Sequence, residues 1–417
     1  MYSKKRNLSR RNFIKTAGAA SLGSAMVPFD ALARVTVGSS LTASVQPTVP
    51  TRPFGKTGVK VSILSLGGVL GPSDQIVFRQ AFKMGVKYWD TADSYGRGKN
   101  EKAIGKYFGK FPQDRGKVFL VTKSATSNPK TLTEKLNRSL QRMKTSYVDL
   151  YFIHYVKDVE DELTADVKAW AEKSKAEGKI RLFGFSTHKN MENCMLAAAK
   201  LGWIDGIMMS YNHRLMVNDQ MKRAVDACVK AGIGLTAMKT QAAFSANFYA
   251  AIGSKSDQAL KLTERFMQKG YTLEQAKLKA VWENPNIASI CSAMSSMTIL
   301  QANIDAAVNR KKLSSKDILL LDRYTSLTSA GYCAGCAHIC ESTINHKVPI
   351  SNIMRYAMYH NSYKYSDEGR TRFNALPDHI KSKLLKVNYS SAEKHCPQKI
   401  EIGKVIKEMG NDLSCVS

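Results

Sequence analysis

Between residues 51 and 326, short runs of β-branched and aromatic residues alternate with longer stretches whose apolar side chains recur every three to four positions. The short runs are apolar nearly throughout, as strands buried on both faces are, and the longer stretches suit helices with one buried stripe. Strict alternation of the two is the rhythm of a parallel sheet, because parallel neighbours need a crossover between them.

The strand-like runs fall at 61–67, 87–92, 118–124, 148–155, 180–187, 206–212, 232–239 and 288–294, with helical patterns such as 100–108, 129–143, 164–177 and 190–201 between them. Eight runs predict an α/β fold of the (β/α)8 TIM-barrel type over residues 52–325. An open doubly wound sheet is the competing architecture, but no Gly-x-Gly-x-x-Gly follows any run. Arg52-Pro53-Phe54-Gly55-Lys56-Thr57-Gly58 reads as a turn-rich hairpin before the first strand. The connection 240–272 carries Phe244, Phe248 and Tyr249 on the face where barrel sites lie, and reads either as a substrate loop or as a helix pair packed outside.

Ahead of the barrel, Lys4, Lys5 and Arg6 precede Ser9-Arg10-Arg11-Asn12-Phe13-Ile14-Lys15 and a mildly apolar run over 16–29. That is the form of a twin-arginine secretion signal, and Ala31-Leu32-Ala33 offers a signal peptidase small residues at alternate positions. The expectation is that residues 1–33 are removed, that the twin-arginine translocase is a partner during export, and that the mature chain is periplasmic. An uncleaved anchor is the alternative. No other stretch approaches the roughly 20 apolar residues of a membrane span. The formal charge of +28 is spread over the whole length instead of forming one basic run with interleaved aromatics. This argues for a solvated basic surface with salt-sensitive attraction to anions, and against a nucleic-acid partner.

Candidate chemistry sits at the strand ends. Trp89-Asp90-Thr91-Ala92-Asp93-Ser94-Tyr95-Gly96 puts Asp90 at the end of the second strand and Tyr95 just beyond, while Lys123 and His154 end the third and fourth. Barrel active sites lie on that face. The Asp-Thr-Ala-x-x-Tyr-Gly run, the Val121-Thr122-Lys123 strand end and the strand running from Asp149 to His154 resemble, in order, the aldo-keto reductases, over roughly residues 52 to 310.

The resemblance implies a nicotinamide cofactor, NADP or NAD, and a small carbonyl, alcohol or sugar substrate. Reducing a carbonyl develops negative charge on oxygen and calls for a proton donor. Tyr95 fills that role; Lys123 is expected to lower its pKa, Asp90 to hold Lys123, and His154 to orient the substrate oxygen. Ser186 matches the serine that meets the carboxamide and Asn303 the asparagine near the adenine; Lys239 lies near the expected pyrophosphate, beside Tyr211 and Asn212. Thr187, Met208 and Met238 depart from the family pattern, and 295–303 has no Arg or Lys for a 2′-phosphate. Free dinucleotide is scarce outside the cytoplasm, so it is either carried out bound or reset by an electron-transfer partner.

Residues 326–417 form a separate, mostly helical C-terminal module. Cys333, Cys336 and Cys340 crowd together and Cys396-Pro397 follows far along the chain. This is the spacing of cluster ligands, read as one 4Fe-4S cluster, with zinc and disulfides as the open alternatives. Lys386, Tyr389 and Ala392 stand where a second cysteine run would fall. His338 reads as incidental, Cys194, Cys228 and Cys291 as buried and inert, and Cys415 as a stray thiol. Two further readings stand beside the enzyme: an iron-sulfur electron-transfer or metal-binding protein that uses the barrel as scaffold, and a non-catalytic surface or sugar-binding protein.

Overall fold

The structure is a computed structural model that describes residues 48–69, 74–242, 255–309, 311–361 and 366–414. Contacts divide the chain into Met1–Val45 and Gln46–Ser417, and only the second unit contains described residues. The leader 1–33, Phe244, Phe248, Tyr249 and Cys415 lie outside them.

After a short hairpin of β1 (Thr51–Pro53) and β2 (Lys60–Ser62), eight parallel strands close into a barrel: β3 (Leu64–Gly67), β4 (Tyr88–Asp90), β5 (Phe119–Ser124), β6 (Val148–Ile153), β7 (Ile180–Thr187), β8 (Gly206–Ser210), β9 (Gly234–Met238) and β10 (Ile287–Ala293), the last pairing back onto β3. The expected first strand is divided in two. Lys60–Ser62 pairs antiparallel with Thr51–Pro53 in a hairpin, and only Leu64–Gly67 enters the barrel. Ser62 marks the break: its hydroxyl donates to the Leu64 carbonyl and accepts from the amides of Lys87 and Tyr88, so the chain turns before the ladder begins.

Period-two alternation sorts the strand side chains. Leu66, Trp89, Leu120, Tyr151, Phe183 and Ile207 face outward into the layer shared with the helices. Phe54, Tyr88, Val121, Leu150, Phe152 and Met208 fill the interior. Helix starts follow capping chemistry: Asn128 accepts from the Thr131 amide ahead of Pro129–Met143, and Thr164 accepts from the Val167 amide ahead of Ala165–Ala176. The second half of the 240–272 connection is helical over Lys255–Gln268, and that helix shares a core with Leu273–Trp282 and Ser315–Leu327 outside the barrel.

Phe54, carried in by the hairpin, plugs the barrel floor with its ring 5.6 Å from Phe119. Beyond Ser315–Leu327 come the short helix Ala337–Cys340, the long helix Ile350–Asn361, and Ser366–Asn374, Ser390–His395 and Ile402–Ser414, around a core of their own. This module packs on the opposite, open end of the barrel. Lys189 pairs with Glu341 at 2.7 Å, the Asn190 amide donates to the Gly335 carbonyl at 3.2 Å, and Arg355 donates to the His188 carbonyl at 2.7 Å. Among the described residues no helix is long and apolar enough to cross a membrane.

The plug depends on two glycines at strand starts. A Cβ at Gly234 would lie 2.5 Å from the Phe54 ring and one at Gly206 2.7 Å from it. We expect Gly234→Ala to lower unfolding free energy in urea by about 1–3 kcal/mol, the range for overpacking, and Phe54→Leu to relieve part of that loss in the double variant.

Candidate active site

The site is built where the inward faces of the strands end. Asp90 closes β4, and its side chain is all but sealed from solvent. Lys123, two residues further along β5 than the partner of Asp90, reaches back with Nζ 2.7 Å from the Asp90 carboxylate and donates to the Thr91 carbonyl at 2.8 Å. After Asp90 the chain is held by amide bonds to β5: Thr91 donates to the Val121 carbonyl and Asp93 to that of Lys123. Asp93 is itself paired with Lys135 at 2.8 Å, and Arg142 donates to its carbonyl. These ties fix the turn on which Tyr95 stands.

Tyr95 lies with its ring 5.0 Å from Lys123 Nζ and edge-on to His154 at 5.7 Å. His154 is buried, its amide donating to the Ser124 carbonyl. The Tyr155 ring stacks on His154 at 3.6 Å, and Tyr155 adopts φ +69°, a left-handed conformation that a bulky residue holds only under constraint. The four residues picked out at the strand ends are therefore brought together.

Burial sets the electrostatics. It raises the Asp90 pKa, and Lys123 pulls it back down. It also holds Tyr95 well above the ordinary phenol value, with Asp90 adding to the rise. The expected lowering by Lys123 does not win, because the ammonium is committed to Asp90 and the Thr91 carbonyl and meets the Tyr95 ring, whose hydroxyl stays protonated. His154 is pushed well below its usual value by burial and then by Lys123, Arg372 and Lys239. It is a neutral imidazole, and its Nδ1 has no hydrogen-bond partner.

The remaining sequence candidates divide. Ser186, on β7, is buried and its hydroxyl accepts from the Tyr155 amide. Asn303 donates to the Ser292 hydroxyl at 3.0 Å. Tyr211 follows the outward register of Ile207 and Met209, and its hydroxyl accepts from Asn284, so it does not join the others. Asn212 donates to the Tyr332 hydroxyl at 2.7 Å and to the Lys239 carbonyl, and accepts from the Arg214 amide. Lys239, at φ +55°, turns its amine to the Tyr359 hydroxyl at 2.9 Å.

Several participants were missed in the sequence. Tyr332, Arg355, Tyr359 and Arg372 come from the C-terminal module to the barrel mouth, where Arg372 meets the Tyr155 hydroxyl at 3.5 Å. An aromatic-rich stretch from Tyr356 to Tyr365 signals only Tyr359 among them. Cys194 and Cys228 are buried as expected, but Cys291 is only half-buried, on the inward face of β10 against Asp90, with its thiol driven well up by burial.

In the module, Cys333, Cys336, Cys340 and Cys396 line one cavity with Ile350 and Met354. All are free thiols, and burial pushes Cys336 and Cys340 up to about 12. Among the described residues no three His, Cys, Asp or Glu side chains stand close enough together to hold a single metal ion. Cys333, Ala334 and Ser351 also line a second cavity, which opens toward the barrel mouth.

Residues 72–325 match the aldo/keto reductase family, and the chain belongs to it. It is 26% identical over 302 residues to the uncharacterized oxidoreductase YqkF of Bacillus subtilis (strain 168), covering 66% of this chain and 96% of that protein. It is 24% identical over 288 residues to L-galactose dehydrogenase of Arabidopsis thaliana, covering 63% of this chain and 89% of the relative. In fold it is similar to aldo-keto reductase AKR11C1 from Bacillus halodurans, in its holo form, with a TM-score of 0.54 at 22% identity, covering 66% and 96% of the two chains. The chain is thus an oxidoreductase of a family that interconverts carbonyls and alcohols, and the family match ends before the cysteine module.

Three buried histidines, His154, His188 and His213, are all held well below their ordinary value, chiefly by burial. Unfolding frees them to take protons once pH falls below about 6.5, so the stability they confer is complete above that pH and is lost below it. Each contributes up to about 1.4 kcal/mol per pH unit. We expect urea midpoints to fall steadily from pH 6.5 to 5, and His213→Leu, whose ring nitrogens have no partner, to flatten that slope. An unchanged slope in the variant counts against the assignment.

Proposed function

We propose that this chain catalyses reversible hydride transfer between a nicotinamide dinucleotide and a small carbonyl compound or sugar-type alcohol, with Tyr95 donating the proton in reduction and accepting it in oxidation. The observation that carries the reading is the convergence of Asp90, Tyr95, Lys123 and His154 from three adjacent strand ends and one loop. A protonated Tyr95 is the form that reduction requires. Neutral His154 can donate to a substrate oxygen without adding a competing charge. Lys123, held by Asp90, offers the field that stabilises the phenolate left behind.

A bound dinucleotide supplies or takes up the hydride. Ser186 fits its carboxamide, because the hydroxyl that accepts from Tyr155 keeps its own proton to donate. Asn303, whose amide nitrogen is used by Ser292, keeps its oxygen for an adenine amine. Asn212 and Lys239, joined at neighbouring strand ends, stay assigned to the dinucleotide, whereas Tyr211 faces outward. With no Arg or Lys over 295–303, the site takes NAD or NADP. The name of the Arabidopsis relative favours a sugar among the substrates.

The four thiols gather round one cavity, and we read them as the ligands of a 4Fe-4S cluster, with zinc or disulfides as the alternatives. Cys333, Cys336, Cys340 and Cys396 would hold it, and it would supply one-electron chemistry and a clip for the module. Export through the twin-arginine translocase to the periplasm belongs to the same reading, since that route accepts folded, cofactor-loaded chains; an electron-transfer partner there would keep the enzyme in use.

Two outcomes test this. Tyr95→Phe should lower kcat about 10²- to 10⁴-fold, the usual contribution of a positioned proton donor, while dinucleotide Kd by fluorescence titration moves less than twofold. Full activity in that variant sinks the mechanism. Protein purified anaerobically should contain close to four irons and four sulfides per chain, and Cys336→Ser should lose both together with their visible absorption; a stoichiometric zinc content in the parent would replace the cluster with a zinc site.

A further inference from the structure

The ladder of β7 stops at Thr187, whose partner on β8 is Met209, and the residues that follow are held from elsewhere. The His188 carbonyl accepts from Arg355 at 2.7 Å, and the Lys189 amine pairs with Glu341 at 2.7 Å. The Asn190 amide donates to the Gly335 carbonyl at 3.2 Å, and the Asn190 side-chain oxygen accepts from the His338 amide at 3.2 Å. Each residue of the turn 188–190 is therefore bonded to the C-terminal module.

This docking shapes the turn from both sides. Asn190 stands at φ +51°, in the left-handed region, just before the helix Met191–Ala198, where an asparagine ordinarily caps its own helix. No such cap is made here, and the side-chain oxygen goes to His338 instead. Gly335, at φ +85°, closes the contact from the module: a Cβ there would lie 2.4 Å from the His188 carbonyl oxygen. Any other residue would lift the loop off the turn.

The loop that grips the turn is the one that carries the thiols. Gly335 lies between Cys333 and Cys336, His338 between Cys336 and Cys340, and these cysteines line one cavity with Cys396. The Gly335 carbonyl accepts from the Ala337 amide as well as from Asn190, so the fold of the loop and its grip on the barrel use the same atom. A group that binds the four thiols fixes the loop. Emptying the site frees the loop to change shape and takes its contacts with the turn along.

On the barrel side the turn continues directly from Ser186, whose hydroxyl accepts from the Tyr155 amide and whose carbonyl accepts from the Val156 amide. The His188 ring stands 5.4 Å from that of Tyr155, which is stacked on His154. A slackened turn therefore loosens the hydroxyl read above as meeting the carboxamide.

We propose that the cysteine loop is a positioning element of the dinucleotide site, with Gly335 and Asn190 as the residues through which occupancy of the four thiols sets dinucleotide affinity. The inference rests on the reductase reading for the dinucleotide. It gives the module a role that electron transfer does not require: the barrel binds its dinucleotide tightly only when the thiols are occupied. Coupling of this kind is reciprocal, so the dinucleotide in turn favours the occupied thiol site.

The test uses full-length protein purified anaerobically with its metal, part of which is then emptied by a chelator. Calorimetric titration with NADH and NADPH should give a Kd about fivefold or more higher for the emptied protein, the lower end of couplings between sites, while kcat at saturating dinucleotide moves less than about threefold. For protein isolated without metal, the comparison is with protein reduced and alkylated by iodoacetamide, which crowds the thiol cavity and should raise Kd by the same factor. Asn190→Gly keeps the left-handed backbone and removes only the bond to His338, so its two forms should differ less than about twofold. Gly335→Ala should weaken dinucleotide binding in the loaded form without loss of metal.

Equal Kd for the two forms of the parent overturns the inference. So does a difference that survives in Asn190→Gly, since the coupling would then run by another route. Loaded protein that binds neither dinucleotide removes the reductase reading and this inference together, whereas binding without coupling removes this inference alone.

Discussion

The buried pair of Asp90 and Lys123 is the constraint around which the barrel mouth is arranged. Two opposite charges lie inside a ring of apolar strands, where separating either from its partner leaves a charge with no water to solvate it, at a cost of about 3–5 kcal/mol. Their contact is possible only because β4 and β5 pair in a register that sets Asp90 beside Val121 and Lys123 one inward step higher. The loop after β4 then has little freedom: its amides are bound to β5, Asp93 is tied to Lys135, and Tyr95 is delivered above the ammonium. A shift of one residue in that pairing would turn Lys123 outward and dissolve the site.

The barrel alone would leave this mouth wide, as open-ended barrels do, and the C-terminal module roofs part of it. It does so through polar contacts at strand ends and through aromatic rings, with Tyr332 on Asn212 and Tyr359 on Lys239. The module has its own apolar core, so the roof is a small folded body resting on the site instead of a loop that folds over it. Its thiol-lined cavity and the cavity at the strand ends share a wall made by Cys333, Ala334 and Ser351. Cys333 therefore lines the thiol cavity on one side and the strand-end cavity on the other.

Much of this was legible in the sequence because the determinants are local. The run 180–187 coincides with Ile180–Thr187 and 129–143 with Pro129–Met143, the helix opening on Asn128 and Pro129, a capping oxygen and a fixed φ. The site was legible because Asp90, Lys123 and His154 fall at the ends of successive strand-like runs and the motif from Asp90 to Gly96 carries Tyr95 on the loop just beyond. Tyr211 was open to a reading by alternation, since Ile207 and Met209 already point outward four and two residues before it. The split of 61–67 escaped because a hairpin strand and a barrel strand share one apolar composition, and only the Ser62 hydrogen bonds separate them. Arg355 and Tyr359 escaped for a different reason: they sit more than a hundred residues beyond the strands they meet, and no periodicity carries that information. Nor did the motif reveal the direction of the Tyr95 shift, which depends on burial and on where the Lys123 ammonium is spent.

Closure of the ring joins β10 to β3, residues from opposite ends of the barrel, and contacts so far apart in sequence are among the last to form. During synthesis the eighth strand must therefore leave the ribosome before the ring can seal, and the helix bearing Arg355 and Tyr359 emerges later still. For that interval the barrel mouth has no roof. The strand ends are therefore more open to solvent during synthesis than in the finished fold, and the order of the elements along the chain sets that interval.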